Sequence, residues 1–138
     1  MKKHIYLLAA ALAASLATTT YAQRDEVLWT GAGPNDRWLT GTNWETNFTP
    51  RADGIIFFEV GVINNGDTAV LDAAAPQIGG VNLGQAPGTS GGLTVRSGGS
   101  ITAAAIGSTG GNVQVGSQGT GTLVVESGGS LNSQLLQV

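Results

Sequence analysis

Two stretches in the second half of the chain are near copies of each other, and they limit the fold more than any other feature. Gly92 to Ile101 reads GLTVRSGGSI and Thr122 to Leu131 reads TLVVESGGSL, so Leu93 and Leu123 are related by a step of 30 residues. A matching piece precedes each copy, Val81-Asn82-Leu83-Gly84 before the first and Val113-Gln114-Val115-Gly116 before the second, at a step of 32. Whole units therefore recur, not an isolated motif. Within a unit, apolar residues open short runs at 81, 93 and 101, and again at 113, 123 and 131, with Gly/Ser corners between them. Runs this short cannot make a helix face, but they suit strands whose side chains point alternately in and out. Three strands and three corners describe one coil of a β-solenoid, with successive coils about 4.8 Å apart.

The repeat also predicts a register. Val81, Leu83, Leu93, Val95, Val113, Val115, Leu123 and Val125 are expected to point inward, with Leu93 stacked on Leu123. Asn82, Thr94, Gln114 and Val124 are expected to face outward. Ser97 to Ser100 and Ser127 to Ser130, both Ser-Gly-Gly-Ser, read as corners, because glycine permits the positive φ of a sharp bend. The third unit has two readings. Leu136-Gln137-Val138 matches Val113-Gln114-Val115 at a step of 23, which makes Ala103 to Gly110 an insertion, or Leu135-Leu136 matches Ala105-Ile106 at 30. Between Val81 and Val138 only about two coils are counted, and solenoids usually need three or more. The last strand carries no polar cap, so the chain is expected either to continue into further coils or to self-associate through this open edge.

Upstream of the repeat no stretch places apolar residues at helical spacing. Strands are expected at Val27 to Trp29, Gly54 to Phe58 and Thr68 to Leu71, besides Val81 to Leu83, Leu93 to Val95, Val113 to Val115, Leu123 to Val125 and Leu135 to Val138. Asn65-Gly66, between Gly61-Val62-Ile63 and Thr68-Ala69-Val70, signals a hairpin or tight turn. The chain is all-β.

The first 22 residues read differently. Met1 to His4 carries two lysines, Ile5 to Leu16 is an apolar run, and Thr20-Tyr21-Ala22 offers small residues at a cleavage site. This is the pattern of a secretory signal peptide cut after Ala22, and its apolar core is too short for a spanning helix. The mature protein would start at Gln23 and hold 116 of the 138 residues, which suits one domain. Residues 23–80 form the N-terminal cap and first strands, and 81–138 the coils. All 22 glycines fall in this mature part, about one residue in five where one in fourteen is usual.

Composition also removes chemistry. Beyond residue 22 there is no lysine, histidine or cysteine, and four arginines face nine acids. No basic patch exists for nucleic acid. Nucleophile schemes built on histidine or cysteine, Schiff-base lysines and His/Cys zinc sites are all absent. No cofactor is implied. Asp53, Glu59, Asp67 and Asp72 are the acids that a glycosidase pair could draw on, but Asp67, after Asn65-Gly66, and Asp72, after Leu71 at a strand end, read better as solvated turn residues. The corners carry no carboxylate and the Gly-Gly-x-Gly-x-Asp calcium repeat is missing, so no metal site is expected. Gly84 to Gly92 lacks the lysine and following helix of a phosphate cradle, and Asn47-Phe48-Thr49 is a chance glycosylation sequon.

All three tryptophans and all three phenylalanines lie between Val27 and Phe58. The run Trp29-Thr30-Gly31-Ala32-Gly33, Asp36-Arg37-Trp38, Asn43-Trp44, Pro50 and Asp53-Gly54-Ile55-Ile56-Phe57 resembles the tryptophan-rich opening of bacterial autotransporter passengers and extracellular PEP-CTERM proteins. In those families it precedes repeats of the form Gly-Thr-Leu-x-Val-x-x-Gly-Gly-Ser-Leu, which Gly121 to Leu131 matches. The resemblance implies a secreted or surface-displayed right-handed β-helix, although neither a translocator barrel nor a PEP-CTERM anchor is present in the sequence. The tryptophans are expected to cap the first coil, since terminal repeats must cover the end of a core. A sugar-stacking platform is the competing role for them. The expectation is a structural β-solenoid segment with an aromatic-rich cap, non-enzymatic, meeting extracellular polysaccharide or protein along its side. The alternative is a carbohydrate-binding or polysaccharide-cleaving β-helix.

Overall fold

The computed structural model describes residues 24–52, 58–106 and 109–138. The signal-peptide reading, the Asp53 to Phe57 motif and most of the expected Gly54 to Phe58 strand lie outside the described residues. Among the described residues twelve strands follow one another: β1 Arg24–Leu28, β2 Phe58–Ile63, β3 Asn65–Leu71, β4 Gly80–Leu83, β5 Ser90–Val95 and β6 Ser100–Thr102, then β7 Ala105–Ile106, β8 Thr109–Gly110, β9 Asn112–Val115, β10 Thr120–Val125, β11 Ser130–Asn132 and β12 Leu135–Gln137. A single turn of 3-10 helix at Gly41–Asn43 is the only helical element among the described residues. The protein is all-β.

Three parallel ladders organise these strands. The first runs in the order β1-β2-β4-β9-β12, the second β3-β5-β10, and the third pairs β6 with β11. Isolated bridges extend the second ladder through Arg37 and Val70, and the third through Ala74 and Ser100 and through Ile78 and Ala103. The chain visits the ladders in rotation, as β4, β5 and β6, then β9, β10 and β11, then β12. Parallel neighbours cannot be joined by a tight turn. Here each return to a ladder is made by way of the other two.

Register agrees with the repeat. Leu93 pairs with Leu123, Val95 with Val125 and Ile101 with Leu131, while Val81 pairs with Val113 and Leu83 with Val115. Leu136 pairs with Val113 and Gln137 with Gln114, so the step of 23 is the one adopted. The inserted piece folds as the small antiparallel pair β7 and β8. Each Ser-Gly-Gly-Ser corner is a β-turn closed from Gly99 N–H to Arg96 O at 2.8 Å, or from Gly129 N–H to Glu126 O at 2.9 Å. The third residue of each turn is Gly98 or Gly128, at φ of +84° and +80°, where a side chain would be strained.

Four expectations need correction. Asn65-Gly66 is not a hairpin, because β2 and β3 lie in different ladders; the tight bend is a corner, with Gly66 at φ +92°. Asn82 faces away from the aliphatic column of Val81 and Leu83, yet it is 1% exposed. It sits on a central strand, flanked in register by Val62 and Gln114. Val125 was expected inside but is 45% exposed, and Leu123 is half-buried, because β10 is an edge strand with nothing stacked beyond it. Finally, the stack is taller than the repeat suggested. The first ladder holds five strands, two of them upstream of any sequence match.

The core fills the space between the ladders. Ala69, Leu71, Val81, Leu83, Leu93, Val95, Ile101 and Val113 are buried and belong to one continuous cluster with Trp29, Trp38 and Trp44. The tryptophans occupy the end near β1. Trp44 stands edge-on to both others, with ring centroids 5.1 Å from Trp29 and 4.6 Å from Trp38. Edge-to-face pairs of this kind add to the large area each ring buries. Gly61 of β2 faces the pair, and a Cβ there would stand 2.6 Å from Trp38 Cη2.

Candidate functional surfaces

The tryptophans are held as core, not offered as a platform. Trp44 Nε1 donates to the Trp38 carbonyl at 2.8 Å, and Trp29 Nε1 donates to Asp67 Oδ2 at 3.2 Å. Asn43, fully buried beside them, uses its amide completely. Its Nδ2 donates to the carbonyls of Asn35 at 2.7 Å and Arg37 at 3.0 Å, while Oδ1 accepts from Gly33 N–H at 2.7 Å. A buried amide with every bond made fixes the loop that carries the rings. The Asn43-Trp44 pair thus has a physical role in the loop. No ring face of the three tryptophans is free for a sugar.

The acids considered for catalysis do not converge. Asp53 lies outside the described residues. Glu59 Oε2 accepts from Arg51 N–H at 2.9 Å, on the first ladder. Asp67 accepts from Trp29 and from Asn65 Nδ2 at 2.7 Å, and Asp72 pairs with Arg37 at 2.8 Å. Asp67 is the third residue of β3 and Asp72 follows its end, so about 16 Å of extended strand separates them. A glycosidase pair stands about 5 to 9.5 Å apart. Among the described residues no cluster of three acidic or other metal-binding side chains occurs, and no helix is long and apolar enough to cross a membrane.

One polar feature was not anticipated, although the repeat contained it. Arg96 and Glu126 hold the same position in the two copies, and the structure pairs them at 3.8 Å. Arg37, Asp72, Arg96 and Glu126 follow one another from layer to layer at one end of the second ladder, so charge alternates in sign up the stack. Arg37, Arg96 and Glu126 are exposed and Asp72 is half-buried, and contacts this open to solvent contribute only about 0.2 to 1 kcal/mol each. The shallow hollow at this column, lined by Asn35, Asp36, Arg37, Val70, Asp72 and Arg96, encloses about 200 Å³. Sites for small molecules usually offer about 300 to 1,000 Å³. The column reads as a stitch between layers.

The remaining surface is built from the outward positions. Thr94 and Gln114 are partly exposed and Val124 is exposed, as the alternation predicts. Gln114 Nε2 donates to Gln137 Oε1 at 3.3 Å, which ties two layers together on the first ladder. The Phe48 side chain is left in solvent, 74% exposed. No protein-family model, curated protein or solved structure matches the chain.

Proposed function

We propose that the three ladders are the faces of a right-handed β-solenoid, and that the protein is exported to act as a structural segment at the cell surface, in the manner of autotransporter passengers and PEP-CTERM proteins. The observation that carries this reading is the shared register. Leu93 lies on Leu123 and Ile101 on Leu131 while the chain rotates through the ladders, so each turn adds one layer to a continuous aliphatic core. Repeat proteins of this kind gain length without needing a new core for each unit. The tryptophan cluster closes the first layer and makes the stack addressable from one end only. Of the acids weighed for a catalytic pair, Glu59, Asp67 and Asp72 are each held by a hydrogen bond or an ion pair, which favours a structural role for them. Extracellular polysaccharide or protein would be met along the polar outer columns.

The layer geometry is tested by cysteines at Thr94 and Val124, which are outward and paired across β5 and β10. A disulfide should form under mild oxidation, and a Thr94 and Gln114 pair, on different ladders, should not link. The display role is tested by expressing residues 1–138 in a Gram-negative host. Exported protein starting at Gln23, with no sugar released from a panel of polysaccharides, is expected. Retention in the cytoplasm with Met1 intact, or release of reducing ends, would overturn it.

A further inference from the structure

The corner between β2 and β3 carries a reactive pair that the layers stacked on it lack. Asn65-Gly66 is the one Asn-Gly sequence in the chain. With glycine next in line, no side chain shields the following backbone nitrogen, and that nitrogen can reach the carbonyl carbon of the asparagine side chain. In register with Asn65 stand Ser90 and then Thr120, each again followed by glycine. Neither has an amide to lose, so the three layers share a corner but not its chemistry.

Three features of the fold keep the pair reactive. The ladder slips at this point: Asn65 lies opposite Ser90 and Thr68 opposite Gly92, so Gly66 and Asp67 share the place of Gly91. A bulge of this kind leaves its extra residue out of the pairing. Space is available too. A methyl on Gly66 would meet only Ser90 Oγ, at 3.8 Å, whereas on Gly91 or Gly121 it would collide with the Ile63 carbonyl or with Gly116 N. Both Asn65 and Gly66 are exposed to water. Last, the side chain is already folded over its own peptide. Asp67 N–H donates to Asn65 Oδ1 at 3.3 Å, while Asn65 Nδ2 donates to Asp67 Oδ2 at 2.7 Å. This Asx turn closes a ring that contains both Asn65 Cγ and the Gly66 nitrogen. The same N–H stands where it stabilises negative charge developing on Oδ1.

We propose that Asn65 is a self-modification site, at which the folded protein converts its own asparagine through a succinimide into aspartate and isoaspartate. Hydroxide takes the Gly66 amide proton, the nitrogen bonds to Asn65 Cγ, and the Cγ–Nδ2 bond breaks as ammonia leaves with a proton from water. Water then opens the ring at either carbonyl. Opening at Cγ puts aspartate at position 65, and opening at the backbone carbonyl routes the chain through the side chain as isoaspartate. Water is consumed, ammonia is released, and nothing is oxidised or reduced. The consequence reaches the aromatic cap, because Asp67 Oδ2 also accepts from Trp29 Nε1 at 3.2 Å. A carboxylate in place of the Asn65 amide sets two negative charges where a donor now meets an acceptor, which loosens the hold on Trp29. None of this depends on export or display.

The purified protein is incubated at about pH 7 and about pH 8, and peptide mapping with isoaspartate-specific methylation follows each asparagine. Asn65 is expected to convert faster than the exposed Asn132, which precedes Ser133, and to yield isoaspartate alongside aspartate. Its rate should rise about tenfold for that pH unit, since the attacking nitrogen must first lose its proton. The folded rate should lie within about tenfold of that in the urea-unfolded chain, because the turn holds the reacting atoms together. Asn65→Ser, with the residue found at the equivalent Ser90, should fold and stay unmodified. Asn65→Asp, the product itself, should unfold at lower urea than the parent. Slower conversion at Asn65 than at Asn132, aspartate without isoaspartate, or a folded rate more than about tenfold below the unfolded one would overturn the site. An Asn65→Asp variant as resistant to urea as the parent would overturn its link to Trp29.

Discussion

Replacing Leu93 with alanine tests the layered core more directly than any other single change. Leu93 is fully buried, with Ala69 in register on one side and Leu123 on the other. The substitution deletes three carbons, and at about 0.8 kcal/mol for each the transfer cost is about 2.4 kcal/mol. Ala69 is too short to reach into the space, and the Leu123 side chain is fixed by its own strand, so a cavity term adds to this. The expected loss is about 3 to 4 kcal/mol, within the range seen for buried leucines. The same change at Leu123 should cost only about 1 to 1.5 kcal/mol, because that side chain is half-buried and water can enter the space it leaves. The three buried tryptophans report unfolding by fluorescence, so urea titrations at low protein concentration measure both losses. Equal costs at the two positions, or a loss below about 1 kcal/mol at Leu93, would refute the reasoning that burial deepens away from the β10 edge.

Other substitutions separate backbone from packing effects. Gly84→Ala should destabilise by well over 1 kcal/mol, since φ is +61° and the new methyl would collide with the Thr120 carbonyl; Gly88→Ala, at φ +75° with nothing nearby, should cost only about 1 kcal/mol, and thermal melts order the two. Trp44→Phe removes the bond to the buried Trp38 carbonyl and should cost about 1 to 3 kcal/mol beyond the lost ring area, measured by denaturant titration. Arg96→Ala, whose partner Glu126 is also exposed, should change stability by less than about 1 kcal/mol and lose even that in high salt. Asn43→Ala leaves Gly33 N–H and two carbonyls without their partner, and should loosen residues 33–43 to hydrogen exchange before global unfolding.

The ladders of the second half were legible because the repeat carries its own register. Leu93 and Leu123, or Ile101 and Leu131, share a phase that fixes which residues pair. The first half hid its layers. Val27, Gly61 and Val81 lie in one column of the first ladder, yet their separations of 34 and 20 residues match neither each other nor the later steps. Gly61 has no side chain to declare its inward phase, because tryptophan rings fill its place. Alternation likewise predicts the side of a strand but not its cover, which is why Asn82 was expected in solvent and Val125 in the core. Local pattern reports direction; burial depends on how many layers lie beyond. The charge column was readable in principle from Arg96 and Glu126, but Arg37 and Asp72 belong to layers without a sequence match.

The unequal steps along the first ladder, 34, 20, 32 and 23 residues, also bear on how the stack forms in time. Closing a longer loop costs little more than closing a short one, and the difference between 34 and 20 residues is about 0.5 kcal/mol. Every strand needs only the layer before it as a template. Sequence separation therefore stays bounded however many layers are stacked, unlike in a sandwich, where the first strand waits for a distant partner. Assembly can proceed from one end of the chain to the other, with each 20 to 34 residues docking on the growing end. A fold built this way captures its own progress, because an earlier layer can open only after the layer docked on it has been peeled off.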